Sequence, residues 1–383
     1  MSVFAELIGQ PHIVLALKDA VRSARNGEET QEMTHAWLFT GPPGSGRSSA
    51  AIAFAAALVC PESGCDTCID CRSAKAGGHA DVEILATEGL SIKIDEVREL
   101  MQRVAWSPSV APWRVVVIED ADRLTESAAN ALLKAIEEPG ARTVWLLCAP
   151  SLSDVLPTIR SRTRHLQLRT PSQSEVVRVL VERDQIAPGM ADFAARVSQG
   201  HIGRARYLAR DENIRSRRNV ILSLPFTITN IATAFSAAAT LVSLATEEAN
   251  SQSASKSEKE TQELGMAWGQ GATGRGMASG GAKALKELEK EQKSRATRMV
   301  RDSLDGALLD LATLYRDVLM VQSGVEASLI NSELREQIVQ LANRIRPEKI
   351  LQKIDSIMQA RTNLSFNAAP LLTIEALMCA LSE

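Results

Sequence analysis

Aromatic residues are scarce in this 383-residue chain, at 4%, with two tyrosines, seven phenylalanines and five tryptophans. The hydrophobic content of 45% must then come mainly from alanine, leucine and valine, a composition suited to helical cores. Excess charge of one sign is also missing. A net charge of −3 excludes an overall basic coat for nucleic acid, though not a local basic groove. The opening MSVFAELIGQPH has no basic segment followed by an apolar one, so a signal peptide is not expected. One stretch, 220–246, carries no charge over a membrane-spanning length. It contains Pro225, Asn230 and many hydroxyl residues, and Ile228, Ile231, Phe235 and Val242 recur at helical spacing. An amphipathic helix in a bundle is expected there, not a membrane span. No repeat of solenoid period is present.

What is there reads as two or three domains, since the length exceeds one ordinary core. The first part alternates short apolar runs with helical patterns, which predicts a parallel sheet with helices on both faces. Strands are expected at 36–40 (AWLFT), 81–85, 114–120, 143–149 and 164–169, and an alanine-rich helix at 47–60. Between the third and fourth strands, Thr125 is placed to cap a helix that Pro139 and Gly140 stop. Past residue 169 the strands end, and Ser172 with Glu175 forms a capping box for the next helix. The expected division is an α/β domain over 1–168 with a cysteine-bearing insert at 60–71, a small helical domain over 169–212, and an all-helical domain over 213–383. A glycine-rich insert at about 250–283 is expected to be a flexible loop, because its composition cannot form a packed core.

Three motifs carry chemistry. GPPGSGRSS supplies Gly41, Gly44, Gly46, Ser48 and Ser49 between a strand and a helix, the context in which backbone N–H groups converge on a phosphate. The lysine of such loops is replaced by Arg47, a planar fork instead of a compact point charge. Two readings stand: a loop that holds phosphate, and a loop that keeps the turn and binds nothing. At the end of the third strand, where a magnesium-binding aspartate normally precedes a catalytic glutamate, Glu119 comes before Asp120. That inversion displaces both carboxylates in the same site. Cys60, Cys65, Cys68 and Cys71 form two overlapping C-x2-C units with a further cysteine upstream, suited to a tetrahedral zinc site. A redox pair and an iron–sulfur cluster are the rival readings. Cys148 and Cys379 are expected to be buried hydrophobes, and Arg160, Arg162 and Arg164 read by composition as a solvated edge.

In combination, LIGQ, HAWLFTGPPGSGR, the cysteine insert, IEDADRLTESAANALLKAIEEP, LPTIRSRTRHLQL and GHIGRAR make the chain resemble the clamp-loader branch of the AAA+ proteins. The likeness is strong to about residue 210 and continues more weakly into LSFNAAPLLTIEALMCAL. It implies an AAA+ domain, a helical lid and a helical collar. It also implies a cytoplasmic subunit of the DNA polymerase III holoenzyme that helps load the sliding clamp onto primed DNA. Partners would be the gamma/tau motor and delta subunits of a heteropentamer, with no membrane. Arg162 matches an arginine offered in trans to a neighbour's ATP, with Thr163 in place of the family's cysteine. Arg204 matches the sensor-2 position, and Gln10 lies in the segment that lines the adenine pocket of ATP-binding relatives. With Arg47 and the Glu119–Asp120 order, the resemblance implies a stationary subunit without ATPase activity of its own. An active motor subunit and a zinc-dependent DNA-binding protein are the alternatives.

Overall fold

The computed structural model describes residues 2–26, 32–267, 281–325 and 328–382. The chain forms two compact units, Met1–Arg210 and Asp211–Glu383.

In the first unit, five parallel strands form one sheet: β1 (Ala36–Thr40), β2 (Val82–Leu85), β3 (Arg114–Ile118), β4 (Thr143–Ala149) and β5 (Arg164–Gln167). Their spatial order is β2-β3-β4-β1-β5, with Trp37 opposite Leu146 on one side and Arg164 on the other. Strands β1, β3 and β4 are buried throughout, as near-continuous apolar runs require when both faces of a sheet are covered. Alternate residues go to opposite faces. Trp37, Phe39, Val115, Val117, Val144 and Leu146 pack with α1 (Pro11–Asn26), α2 (Arg47–Val59) and α3 (Ile69–Lys75). Leu38, Val116, Ile118, Trp145 and Leu147 pack with α4 (Ile94–Val104) and α5 (Glu126–Glu137). Helices therefore cover both faces, as expected.

Local signals explain several boundaries. Thr125 caps α5 by accepting from the Ala128 amide, and Ser172 with Glu175 closes a reciprocal box on α7. The short α6 (Pro157–Arg160) precedes β5; α7 (Gln173–Glu182), α8 (Pro188–Ser198) and α9 (Ile202–Arg210) pack on one another after it. The strands expected at 81–85, 114–120 and 164–169 are each shorter by one or two residues at their ends.

The second unit is all helix: α10 (Glu212–Thr227), α11 (Ile231–Ala267), α12 (Gly281–Gln322), α13 (Arg335–Arg344), α14 (Pro347–Ser365) and α15 (Pro370–Ser382). No helix among the described residues is long and apolar enough to cross a membrane. The uncharged stretch 220–246 is two helices, not one, because the chain turns between Thr227 and Ile231, where Asn230 accepts from the Thr233 amide. The buried face also differs from the expected one. Ala234, Ala237, Ala238, Leu241 and Ala245 face the core, whereas Ile231 and Phe235 are exposed. The flexible stretch expected at about 250–283 is helical at both margins, through Ala267 and from Gly281. Side chains explain why: Arg295 grips Glu260 with two nitrogens at 2.9 and 2.5 Å, and Gln292 reaches the Ser257 carbonyl, clasping α12 to α11. The remaining glycine-rich residues, 268–280, lie outside the described residues.

Candidate functional site

The phosphate-loop motif sits where the sequence places it, between the carboxyl end of β1 and the start of α2. Gly46, at φ +91°, is the residue before α2, so Arg47, Ser48 and Ser49 form its first turn. Gly44 lies at φ +83°, and a Cβ there would come within 2.4 Å of His201 Cγ. A side chain at 44 is therefore excluded twice, by backbone conformation and by His201. The segment before α9 thus rests directly on the loop. His201 accepts the Arg204 amide at its own Nδ1, and burial followed by the charges of Arg204 and Arg47 lowers its pKa.

Arg47 does not reach outward. Its Nη1 donates to the Gly41 carbonyl, so the guanidinium folds onto its own loop. Glu119 and Asp120 follow β3 at the same carboxyl edge of the sheet. Their charges and that of Arg47 all act on the buried Cys148 thiol, whose pKa rises chiefly through burial. Asp122 is likewise raised by burial and by Asp120, against the opposing charge of Arg47. The structure therefore brings Arg47, Glu119 and Asp120 together around the end of the sheet. Gln10 is buried and staples the loop. It donates to the carbonyls of Ser45 at 3.3 Å and Arg169 at 2.6 Å, and accepts from the Arg169 amide at 3.2 Å. The Ser45 hydroxyl is buried without a partner among the described residues. The loop keeps a turn able to cradle an anion, but the side chain that should engage a terminal phosphate is turned away from that task.

Arg162 lies just before β5 with its side chain 40% exposed. Its Nε meets Glu137 Oε1 at 2.6 Å, and its Nη1 donates to the Thr158 carbonyl at 2.9 Å and to Ser161 Oγ at 3.2 Å. Arg164 instead lies over the Trp37 ring, 4.8 Å from its centroid, which makes it part of the sheet edge. Neither Glu137 nor His201 is marked by a spacing or composition signal in the sequence. The only trace of either is its presence inside a quoted motif, KAIEEP and GHIGRAR.

The four cysteines converge on one point. The sulfurs of Cys60, Cys65, Cys68 and Cys71 all lie within 4.8 Å of one another, with Cys60 at 3.7 Å from both Cys65 and Cys68. Four thiolates at about 2.3 Å from one tetrahedral ion stand about 3.8 Å apart, so the set fits a single metal ion. An iron–sulfur cluster spreads its thiolates over several irons and needs wider spacing. Amides of Glu62 and Cys65 donate to Cys60 Sγ, that of Cys68 to Cys65 Sγ and that of Cys71 to Cys68 Sγ, at 3.3 to 3.4 Å. Such donors stabilise negative sulfur. The hydroxyl of Thr67 is the largest influence on Cys65, drawing its pKa down to about 6, while burial pushes Cys68 and Cys71 up. Cys148 is buried as expected, whereas Cys379 is only partly so.

Two family models match: "DNA polymerase III, delta subunit" over residues 17–172, and "DNA polymerase III, delta subunit, C terminal" over 299–378. Among curated relatives, the DNA polymerase III subunit delta' of Bacillus subtilis is 32% identical over 200 residues, covering 51% of this chain and 60% of that one. The delta' subunit of Pseudomonas aeruginosa is 39% identical over 134 residues, covering 33% and 41%. The gamma/tau subunit of Mycobacterium tuberculosis is 33% identical over 171 residues, covering 43% and 28%. The matched region is thus less than two thirds of each relative's length. A solved gamma subunit-related protein of Thermotoga maritima aligns over 96% of this chain and 98% of its own, at 16% identity and a TM-score of 0.43.

Proposed function

We propose that this chain, which matches DNA polymerase III delta-subunit models near both ends and is related to the delta' and gamma/tau subunits, is a stationary member of a clamp-loader ring. In this reading it helps load the sliding clamp onto primed DNA in the cytoplasm. Its neighbours in a heteropentamer are the gamma/tau motor and delta subunits. It hydrolyses no ATP itself and presents Arg162 to the nucleotide of an adjacent motor subunit. Residues 1–168 form the AAA+ domain, 169–212 the lid and 213–383 the collar, and Cys60, Cys65, Cys68 and Cys71 hold a structural zinc.

A contrast between two arginines carries the proposal. Arg47, in the chain's own phosphate loop, is tied inward to the Gly41 carbonyl, while Arg162 is half-exposed at the head of β5. A site whose cation serves its own loop, and whose carboxylates stand in inverted order, is poorly arranged to stabilise phosphoryl transfer. An exposed guanidinium suits delivery to a partner's phosphates. The motor-subunit alternative is disfavoured by Arg47 and by Glu119 preceding Asp120. A free-standing zinc-dependent DNA-binding protein is disfavoured by the net charge of −3 and by the lack of a basic run beside the cysteines.

The test is ATP hydrolysis and clamp loading by the reconstituted complex with Arg162→Ala, Arg160→Ala or Arg164→Ala at matched assembly. Fingers of this kind are worth roughly 10³- to 10⁵-fold at a single site, diluted where several sites turn over together. Arg162→Ala should lower DNA- and clamp-stimulated hydrolysis, and the other two variants should lower it less. Parental hydrolysis by a normally assembled Arg162→Ala complex would sink the assignment.

A further inference from the structure

Glu137 is the last residue of α5, and Glu138 follows it as the cap. Carboxylates at a helix C-terminus sit against the negative end of the helix dipole, so local stability argues against acidic residues there. Nor does Glu137 pair with its ordinary helical partner. Lys134, three residues earlier, makes no ion pair among the described residues. Glu137 spends its carboxylate 25 positions away in sequence, on Arg162 Nε at 2.6 Å.

The contact changes what Arg162 can do. Glu137 sits against Nε as an ion pair, while the Thr158 carbonyl and the Ser161 hydroxyl accept from Nη1, so the guanidinium is held from two sides. Nη2 makes no hydrogen bond to any described residue. A free arginine loses considerable rotamer freedom when it orders on a ligand, and a fork already fixed loses less. We propose that Glu137 is the positioning residue for Arg162: it orders the guanidinium before assembly and leaves Nη2 to engage an anion on a neighbouring subunit. The inference rests on the trans role assigned to Arg162 above. Glu137 touches no substrate and acts only through the arginine.

The test is a double-mutant cycle in the reconstituted complex, with kcat and KM for ATP measured for the parent, Glu137→Gln, Arg162→Ala and the double variant. Glu137→Gln keeps the size of the side chain and removes its charge. It should lower kcat by about two- to fivefold, the scale of an exposed ion pair, with KM unchanged. The same substitution should have no further effect in the Arg162→Ala background, and Glu137→Asp should recover part of the loss. A loss of equal size in both backgrounds makes Glu137 merely structural and overturns the inference. Unchanged or faster turnover in Glu137→Gln, with Arg162→Ala still slow, overturns it too, the faster case making Glu137 a restraint on the finger. No effect of Arg162→Ala removes the trans role itself, and the positioning role with it.

Discussion

The Arg47 guanidinium donates through Nη1 to the carbonyl of Gly41, six residues earlier in the same loop. A lysine ammonium in this position acts as a point charge on phosphate, whereas the fork of Arg47 serves as a brace of the turn. The isolated chain should therefore release no phosphate from ATP above background. Arg47→Lys alone should not restore turnover, because Glu119 and Asp120 remain in inverted order. Steady-state phosphate release checks both statements. Turnover of roughly 1 per second or faster, ordinary for enzymes, contradicts the stationary reading if it is lost in Arg47→Ala.

Asp81 gives the first unit an acid-sensitive anchor. It is fully buried and accepts from the amides of Ser109, Val110 and Ala111 and from Arg114 Nη2. Burial alone would raise its pKa, but the three amide donors prevail and hold it at about 2, against an ordinary value of 3.8. A carboxyl depressed on folding contributes stability that is complete above its unfolded pKa and is lost as pH falls through the folded one. That contribution is about 2 kcal/mol, present at pH 5 and above and disappearing from near pH 4 down to pH 2. Denaturant unfolding of Asp81→Asn should show a deficit of at least this size at neutral pH. The gap to the parent should narrow below pH 4, and a constant gap would assign the loss to shape and not to charge.

Much of this fold is legible locally, and the exceptions have two causes. AWLFT and TVWLLCA are strands to the residue because each is a short apolar run with a polar or turn-forming boundary. Thr125 and Ser172 announce their helices because a cap acts within three residues. The cysteine site is equally readable, since its four ligands lie within twelve consecutive residues. Helix α11 misleads because alanines form its buried face, and alanine contributes little to a hydrophobic pattern however closely it lets helices approach. The inward turn of Arg47, the seat of His201 on Gly44 and the pairing of Glu137 with Arg162 are tertiary contacts. No spacing rule encodes them.

A buried ionic cluster organises the second unit. Arg218, 3% exposed, meets Asp310 at 3.1 Å and Glu333 at 3.0 Å and also donates to Asn331. Asn331 is held in turn by Asp317, which accepts its amide at 2.7 Å and its Nδ2 at 2.9 Å. The cluster ties α10 to α12 and to the turn ahead of α13. Removing one member of a buried pair leaves the other charge without compensation, at a cost of about 3–5 kcal/mol. Arg218→Ala should therefore speed amide hydrogen exchange in α10 and α13 while exchange in the β-sheet stays at the parental rate. Arg218→Lys should be nearly as harmful, because one ammonium cannot reach three acceptors set out for a fork. Parental exchange in either variant would mean that the apolar core alone holds these helices.

The cysteine cluster makes a prediction about both metal and structure. Its sulfur spacing of 3.7 Å and its N–H···S bonds fit one tetrahedral ion, and the thiolate ligand set favours zinc. Elemental analysis of reduced protein should find one zinc per chain, and cobalt exchanged into the site should give a tetrahedral thiolate spectrum. Cys68→Ser should abolish both, since Cys68 belongs to both C-x2-C units and caps α3 by accepting the Cys71 amide. Zinc binding is worth on the order of 10 kcal/mol in small peptides. Here the damage should stay local, because Cys60 and Cys71 are also packed into the core that α2 shares with the sheet. Loss of metal should therefore expose 60–75 to protease and leave exchange in β1 and β4 unchanged. Acid should release the ion as protons compete for the thiolates. Iron in place of zinc, or full metal content in Cys68→Ser, would overturn the assignment, and a global collapse on chelation would show that the sheet depends on the metal.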